Sequence, residues 1–460
     1  MNLTVGLLPL YIKLYDDHWP HLQERMQRFY QTIADELANR GMEVLKVPIC
    51  RVEREFAEAV KTFEAADADA VVTLHLAYSP SLESAKVLAD TDLPLIVLDT
   101  TPSYEFGPDQ VADELLYNHG IHGVQDMCNL LLRNGKPFLI EAGHWQESDV
   151  LERISDCVKA AAIAKSLKRA RVGRIGGPFP GMGDFAVPSD RLRASIGIET
   201  IEFDNRPVQE QLLHLTENQI EEEIKLDEQA FCADGVDAAV HRQSIRAGLT
   251  LRKLIADHQL TAFTVNFLDV TRNAAISPMP FLEAGKAMQR GIGYAGEGDV
   301  LTAALTGAIL SVYKDASFSE MFCPDWKHNR IFLSHMGEFN FRVAAGKPVL
   351  KEVDFPFTDA GNPVAACGRF RSGRAVYVCL APVKDQVYTL IVSPGEMIEP
   401  DPDRAVHTVR GWFQPDVPLE RFLTDFSRHG GIHHGVLVYG DVAPVMERFG
   451  AIMGWTVVSI

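Results

Sequence analysis

The sequence predicts an α/β protein: two doubly wound Rossmann-like α/β domains followed by a C-terminal β-rich, barrel-like domain. Three observations carry this prediction. In the first third, short apolar runs alternate with amphipathic stretches, the pattern of a parallel sheet with helices on both faces. The middle third keeps that alternation with longer helices. Beyond about Ser317 the pattern changes to short β-branched and aromatic runs separated by Pro, Gly and Asp, which suits a small barrel or sandwich. The domains are accordingly set at 1–168, 169–316 and 317–460.

In order along the chain, residues 3–10 read as a strand. Leu22, Met26, Phe29, Ile33 and Leu37 follow at steps of three and four, with Pro20 at the start and Gly41 at the end, so this stretch is a helix with one buried stripe. Strands are expected at 44–48, 70–75, 95–99 and 137–142, then a helix over 148–167 and a strand at 172–175. The middle third reads as a polar helical stretch through Glu221, Glu222 and Glu223, a helix at 240–255, a strand at 262–267 and helices at 281–290 and 300–310, the last capped by Asp299. The acidic triplet is expected to be a solvated face. The last third predicts strands at 331–335, 375–381, 387–393 and 436–439, with helices at 419–426 and 445–449.

Composition narrows the partners. The 460 residues carry 44 Lys plus Arg against 62 Asp plus Glu, a formal charge of −18 and the wrong sign for neutralising nucleic-acid phosphates or coating an anionic bilayer. No nucleic acid and no membrane is expected as a partner. The absence of a long apolar run or of a signal-peptide pattern near Met1 predicts a cytoplasmic protein. Seven scattered cysteines without a CxxC pair predict reduced, mostly buried thiols.

Gly291, Gly293 and Gly296 form a GxGxxG, on which a nicotinamide oxidoreductase can be imagined. That fingerprint must follow a strand and open a helix, whereas here a helix ends at Arg290 and Gly291 reads as its C-cap. The stronger signal is a set of carboxylates and imidazoles. Glu297 lies in the glycine-flanked Gly296-Glu297-Gly298-Asp299, Glu320 follows Ser317-Phe318-Ser319, His335 ends an apolar strand, and His433-His434 precede another. Two carboxylates and two imidazoles suit a divalent ion with open positions for substrate oxygens. Because side chains alternate along a strand, at most one of the tandem histidines is expected in any one site. The spacing has no local regularity, so spacing alone favours capping or core roles over a metal site. His75 stands at the carboxyl end of a parallel strand, where such sheets place ligands. His119 and His122 flank a helix start, and Gly143-His144-Trp145-Gln146 follows another strand end.

These residues resemble the L-arabinose isomerase family, and more distantly the L-fucose isomerases. The resemblance rests on His75 to Pro80, His122-Gly123, Gly143-His144-Trp145-Gln146, Ala262-Phe263-Thr264, Gly293-Tyr294-Ala295-Gly296-Glu297-Gly298-Asp299, Ser317-Phe318-Ser319-Glu320, Leu333-Ser334-His335-Met336 and Gly431-Ile432-His433-His434. It implies a manganese-dependent aldose–ketose isomerase (magnesium or cobalt being alternatives) of three domains, a homohexamer with active sites between subunits. It implies Glu297, Glu320, His335 and His434 as metal ligands, the glutamates also acting as acid and base. His433, with His75, Tyr78, His122, Tyr11 and Lys13, would meet the sugar. A non-catalytic sugar-binding relative is the alternative from another class. The departures fall in the sugar-reading loops: the stretch after the first strand is Pro9-Leu10-Tyr11-Ile12-Lys13-Leu14-Tyr15, the loop after residue 99 is Thr100-Thr101-Pro102-Ser103-Tyr104, and Met321-Phe322-Cys323-Pro324 follow Glu320. Specificity is therefore expected to differ from that for L-arabinose.

Overall fold

A computed structural model describes residues 3–205, 215–233, 235–384, 387–399 and 403–460, and the chain divides into two compact units, Met1–Lys165 and Ser166–Ile460. In the first, β1 (Leu3–Leu10), β2 (Met42–Lys46), β3 (Ala70–His75), β4 (Leu95–Asp99) and β5 (Phe138–Ala142) form a parallel sheet in the order β2-β1-β3-β4-β5. The chain steps from β1 outward to β2, then returns to the other side of β1. Helices consequently cover both faces, which is why β3 is buried along its whole length and is apolar but for Thr73 and the terminal His75. The expected amphipathic helix is Gln23–Asn39, burying Met26, Phe29, Ile33 and Leu37, and Gly41 ends it in left-handed conformation at φ +82°.

The second unit opens with four parallel strands, β6 (Arg171–Ile175), β7 (Glu199–Phe203), β9 (Ala262–Val265) and β10 (Gly293–Gly296), in the order β10-β9-β6-β7. A small sheet joins β8 (Cys232–Ala233) to β13 (Val349–Glu352) and β14 (Val364–Cys367). The rest is an antiparallel barrel of β11 (Ala316–Asp325), β12 (Arg330–His335), β15 (Gly373–Lys384), β16 (Val387–Ile398), β17 (Val409–Pro415) and β18 (His434–Tyr439). Its order is β15-β18-β11-β12-β17-β16, and pairing of β16 with β15 closes the ring. A further strand, β19 (Thr456–Ser459), runs parallel to β16. Leu333, Tyr377, Ile391, Phe413, Phe422 and Leu437 are among the side chains that fill the barrel core.

One helix joins sheet to barrel within this unit. Val300–Val312 is apolar on every side and buried from Val300 through Leu310. It packs on β9 and β10 and also on β11, β15 and β18. Gly293 makes this possible, since a Cβ there would stand 2.2 Å from the Ala303 carbonyl oxygen.

One reading needs correcting, and two strands are not legible in the sequence. The run Gly293–Gly296 is a strand, and its glycines serve close packing; Gly291 is the left-handed C-cap of helix Phe281–Arg290, as expected. Glu320 lies within β11, a strand disguised by Pro324 and by a bulge between Met321 and Cys323. The acidic triplet is only partly solvated: Glu222 is exposed, but Glu223 and Asp227, one turn apart with Ile220, form the inner face of helix Glu217–Ala230. There Glu223 accepts from Arg252 at 2.8 and 2.9 Å and from Lys286 at 2.7 Å. Burial would raise its carboxyl, but those cations bring it down to about 2. All seven cysteines are free, and Cys50, Cys157, Cys367 and Cys379 are buried.

Candidate metal centre

The turn after β10 holds Glu297 at φ +56°, a left-handed conformation uncommon outside glycine. The Thr264 hydroxyl clamps it, donating to the Gly296 carbonyl and accepting from the Gly298 N–H, both at 3.0 Å. The Phe179 N–H donates to the Glu297 carbonyl at 2.9 Å. Asp299 then caps the apolar helix, Oδ1 accepting from the Thr302 N–H at 2.9 Å. A rare backbone conformation held from three sides aims one carboxylate at the mouth of the barrel.

The barrel supplies the other groups. Glu320 of β11 pairs across to His434, the first residue of β18, so both side chains face one side. His335 ends β12. His434 Nε2 lies 3.0 Å from Glu297 Oε2 and 3.0 Å from Glu320 Oε1, and His335 Nε2 lies 3.1 Å from Glu320 Oε1 and 3.8 Å from Glu297 Oε1. Both imidazoles turn Nε2 inward because Nδ1 is held outside by a fully buried carboxylate: His335 Nδ1 on Glu338 at 2.6 Å, His434 Nδ1 on Asp299 at 2.8 Å. Glu338 is itself fixed, accepting from the Tyr294 hydroxyl at 2.5 Å and the Gly337 N–H at 2.9 Å. Phe185 stacks on the His434 ring at 4.9 Å, and Phe318 meets both imidazoles edge-on.

The carboxylates and imidazoles shift one another strongly. Burial would raise the carboxyls of Glu297 and Glu320, yet the two imidazoles hold Glu297 far below the usual range and Glu320 at about 2. Burial would likewise depress both imidazoles, but the surrounding carboxylates, Glu338 beside His335 and Asp299 beside His434, push them well up. Four carboxylates converge on two histidines, a surplus of negative charge that suits a bound cation. A divalent ion fits the donor set: two carboxylates and two inward Nε2 atoms, each imidazole oriented by an outer carboxylate in the manner of metal-binding histidines. Glu297, Glu320 and His335 offer ligand atoms all within 4.8 Å of one another, and so do Glu320, His433 and His434.

The second grouping overturns the expectation that only one tandem histidine can reach a site. β18 begins at His434, so His433 precedes the strand and alternation does not govern it. Its N–H and Nδ1 both rest on Asp184 Oδ2, at 3.1 and 2.6 Å. Sequence reasoning missed Asp184, which lies 249 residues away with no local signal. It also missed Glu338, though His335-x-x-Glu338 carries a legible spacing, and it gave Asp299 only the role of a helix cap.

A cavity of about 230 Å³ adjoins Glu297, Glu320 and His335, walled by Phe267, Met279, Phe281, Phe355 and Phe357. A larger cleft of about 540 Å³ lies at the carboxyl ends of β6 and β7, lined by Gly177, Asp204 and Asp269. It contains none of the predicted ligands, so the chemistry selects the smaller cavity.

The residues expected to read the sugar from the first unit form their own group. His75 is buried between β3 and the helix Ile121–Arg133, where a Cβ on Gly123 would lie 2.3 Å from its ring. Burial lowers it to about 3. The Tyr78 hydroxyl donates to Asp126 at 3.3 Å, and His122 Nδ1 meets His119 Nε2 at 2.7 Å, with the Tyr15 hydroxyl 3.2 Å from His119 Nδ1. Tyr11 is buried, and desolvation raises its hydroxyl to about 12. Lys13 is exposed beside Asp17.

The central part of the chain, residues 194–315, matches the family described as L-arabinose isomerase central domain, and residues 315–456 match L-arabinose isomerase C-terminal domain. Among curated proteins the chain is similar to the L-arabinose isomerase of Halalkalibacterium halodurans, 26% identical over 441 residues covering 92% of this chain and 87% of that one. It is 24% identical to that of Herpetosiphon aurantiacus, with 96% and 91% covered, and 24% identical to that of Shouchella clausii, with 98% and 92% covered.

Proposed function

The chain belongs to the L-arabinose isomerase family, and from that premise we propose that it is a manganese-dependent aldose–ketose isomerase with Glu297, Glu320, His335 and His434 as the metal ligands. The carrying observation is the pair of inward Nε2 atoms, each fixed by a buried carboxylate, facing two ionised glutamates. Bound there, the ion supplies Lewis acidity that polarises the sugar carbonyl and favours loss of the C2 proton. Magnesium or cobalt fits the same oxygen and nitrogen donors.

The protein's own groups carry the proton. One of Glu297 and Glu320 takes the proton from C2 of the open-chain aldose and the other carries the O2 proton to O1, so that the ene-diol forms and, as the first glutamic acid returns a proton to C1, collapses to the ketose; each transfer contributes about 10²- to 10⁴-fold. His433, held by Asp184, faces the sugar. In this reading the three domains 1–168, 169–316 and 317–460 assemble as a cytoplasmic hexamer. The first domain of a neighbouring subunit then completes each site through His75, Tyr78, His122, Tyr11 and Lys13.

An aldose panel assayed with and without manganese tests the proposal. Turnover that requires the ion, and is lost in folded Glu297→Ala, Glu320→Ala, His335→Ala and His434→Ala, is expected. Full activity of His434→Ala, or turnover indifferent to chelation, would refute it. Deuterium from solvent at C1 of the ketose supports the ene-diol route, whereas complete retention of the C2 hydrogen would replace it with a hydride shift.

A further inference from the structure

We infer that the preferred aldose is apolar at the end distant from its carbonyl, a sugar finishing in methyl where common aldoses finish in hydroxymethyl. This rests on the isomerase reading, because the metal ligands define which end of the sugar lies where. The cavity beside Glu297 and Glu320 has a polar floor and an apolar wall. On the floor, Tyr294 and Glu338 are bonded to each other, and Glu338 also holds His335 and the Gly337 N–H. These groups are committed before any substrate arrives. Among the described residues lining the cavity, the other side chains with polar atoms are the ligands Glu297, Glu320 and His335.

The wall is an interlocked aromatic cluster. Phe355 meets Phe357 at 5.2 Å, Phe281 at 6.1 Å and Phe267 at 6.4 Å, all near perpendicular, and Phe267 meets Phe357 at 5.2 Å. Edge-to-face packing of this kind resists rearrangement to admit water or a polar group. At the mouth, Phe322 and Phe357 remain 48% and 49% exposed, an apolar surface waiting for cover. With O1 and O2 at the ligand set, carbons farther along the chain lie against these rings. A terminal hydroxyl against these rings gives up its water and finds no uncommitted side-chain partner among the described residues lining this cavity, while a methyl gains contact. Apolar pockets discriminate against an added hydroxyl by up to about 10²-fold, so a preference on the order of 10- to 100-fold is expected.

The test uses sugar pairs that differ only at the terminal carbon: L-arabinose with 5-deoxy-L-arabinose, D-galactose with 6-deoxy-D-galactose, L-mannose with 6-deoxy-L-mannose, and L-galactose with 6-deoxy-L-galactose. For each pair, kcat/KM and calorimetric affinity are measured on the full-length, manganese-loaded protein. The deoxy member should lead in the best pair by about 10-fold or more in both readouts. In Phe357→Asn, with manganese affinity unchanged, that lead should shrink towards one. A hydroxymethyl sugar equal to or better than its deoxy partner, in turnover or in binding, overturns the inference. If no pair is turned over, the isomerase reading fails, and calorimetry alone still decides the preference for a methyl end.

Discussion

Asp299→Asn separates the two duties of one carboxylate. Oδ1 of Asp299 caps the helix through Thr302, and Oδ2 holds Nδ1 of His434. Asparagine is as good a cap as aspartate, so the helix start survives. The amide NH₂, however, presents a donor to Nδ1. That favours the tautomer with its proton on Nε2, the atom that in the proposed centre offers a lone pair to the ion. Loss of an outer partner of this kind weakens metal affinity by about 10- to 100-fold, equivalent to about 1.4–2.7 kcal/mol. Asp299→Ala should lose the same affinity and also the cap, falling below Asp299→Asn in metal-free stability by about 1 kcal/mol. Manganese titration by calorimetry and urea melts of the metal-free proteins read the two effects separately. An Asp299→Asn variant that binds manganese as tightly as the parent would refute the orienting role, because the hydrogen bond to His434 would then be incidental.

Asp184→Ala should raise KM by about 10-fold or more with manganese affinity unchanged, since it frees His433 without touching the ligands, and Asp184→Asn should recover part of the loss through the His433 N–H; steady-state kinetics beside calorimetry checks this. Glu223, lowered from 4.5 to about 2 by Arg252 and Lys286, contributes stability that is complete above pH 4.5 and is lost as pH falls towards 2. Glu223→Gln should therefore cost about 3 kcal/mol at pH 7 and little at pH 2 in urea melts, and a pH-independent cost would contradict the ion-pair account. His75 acts with the opposite sense. Below pH 6.5 the unfolded chain takes up a proton that buried His75 refuses until about pH 3, so stability falls by about 1.4 kcal/mol per pH unit through that window. His75→Leu should flatten this part of the profile, and an unchanged slope would show that the ring is protonated in place.

The first unit was largely legible because its physics is local. Buried parallel strands make unbroken apolar runs, and Gly41 ends a helix whose stripe repeats at three and four residues. The barrel was harder to read. β17 alternates buried Val409, Gly411 and Phe413 with Arg410, Trp412 and Gln414, but Gly411 and Pro415 weaken the strand signal, and β11 carries a bulge and a proline. Of the site, the residues were visible and their geometry was not. Glu320 and His434 come together through strand register, which sequence spacing does not encode. Asp184 reaches His433 from a loop of the other layer, and only the fold brings them together.

That the proposed ligands arrive from two layers has an energetic consequence. Glu297 belongs to the turn after a strand of the parallel sheet, while Glu320, His335 and His434 belong to three barrel strands, and the apolar helix Val300–Val312 is wedged against both. A cation held by all four exists only when sheet, helix and barrel are assembled, so its binding free energy adds to the stability of the second unit. At free manganese about 100 times the dissociation constant the gain is about 2.7 kcal/mol, or about 5 °C in Tm for a unit of this size. The same addition should leave His434→Ala and Glu297→Ala unmoved. If manganese raised Tm equally in parent and variants, the ion would be binding elsewhere. If it raised Tm in the parent and in Glu297→Ala alike, but not in His434→Ala, the barrel alone would hold it, and the left-handed turn at Glu297 would serve proton transfer without serving the metal.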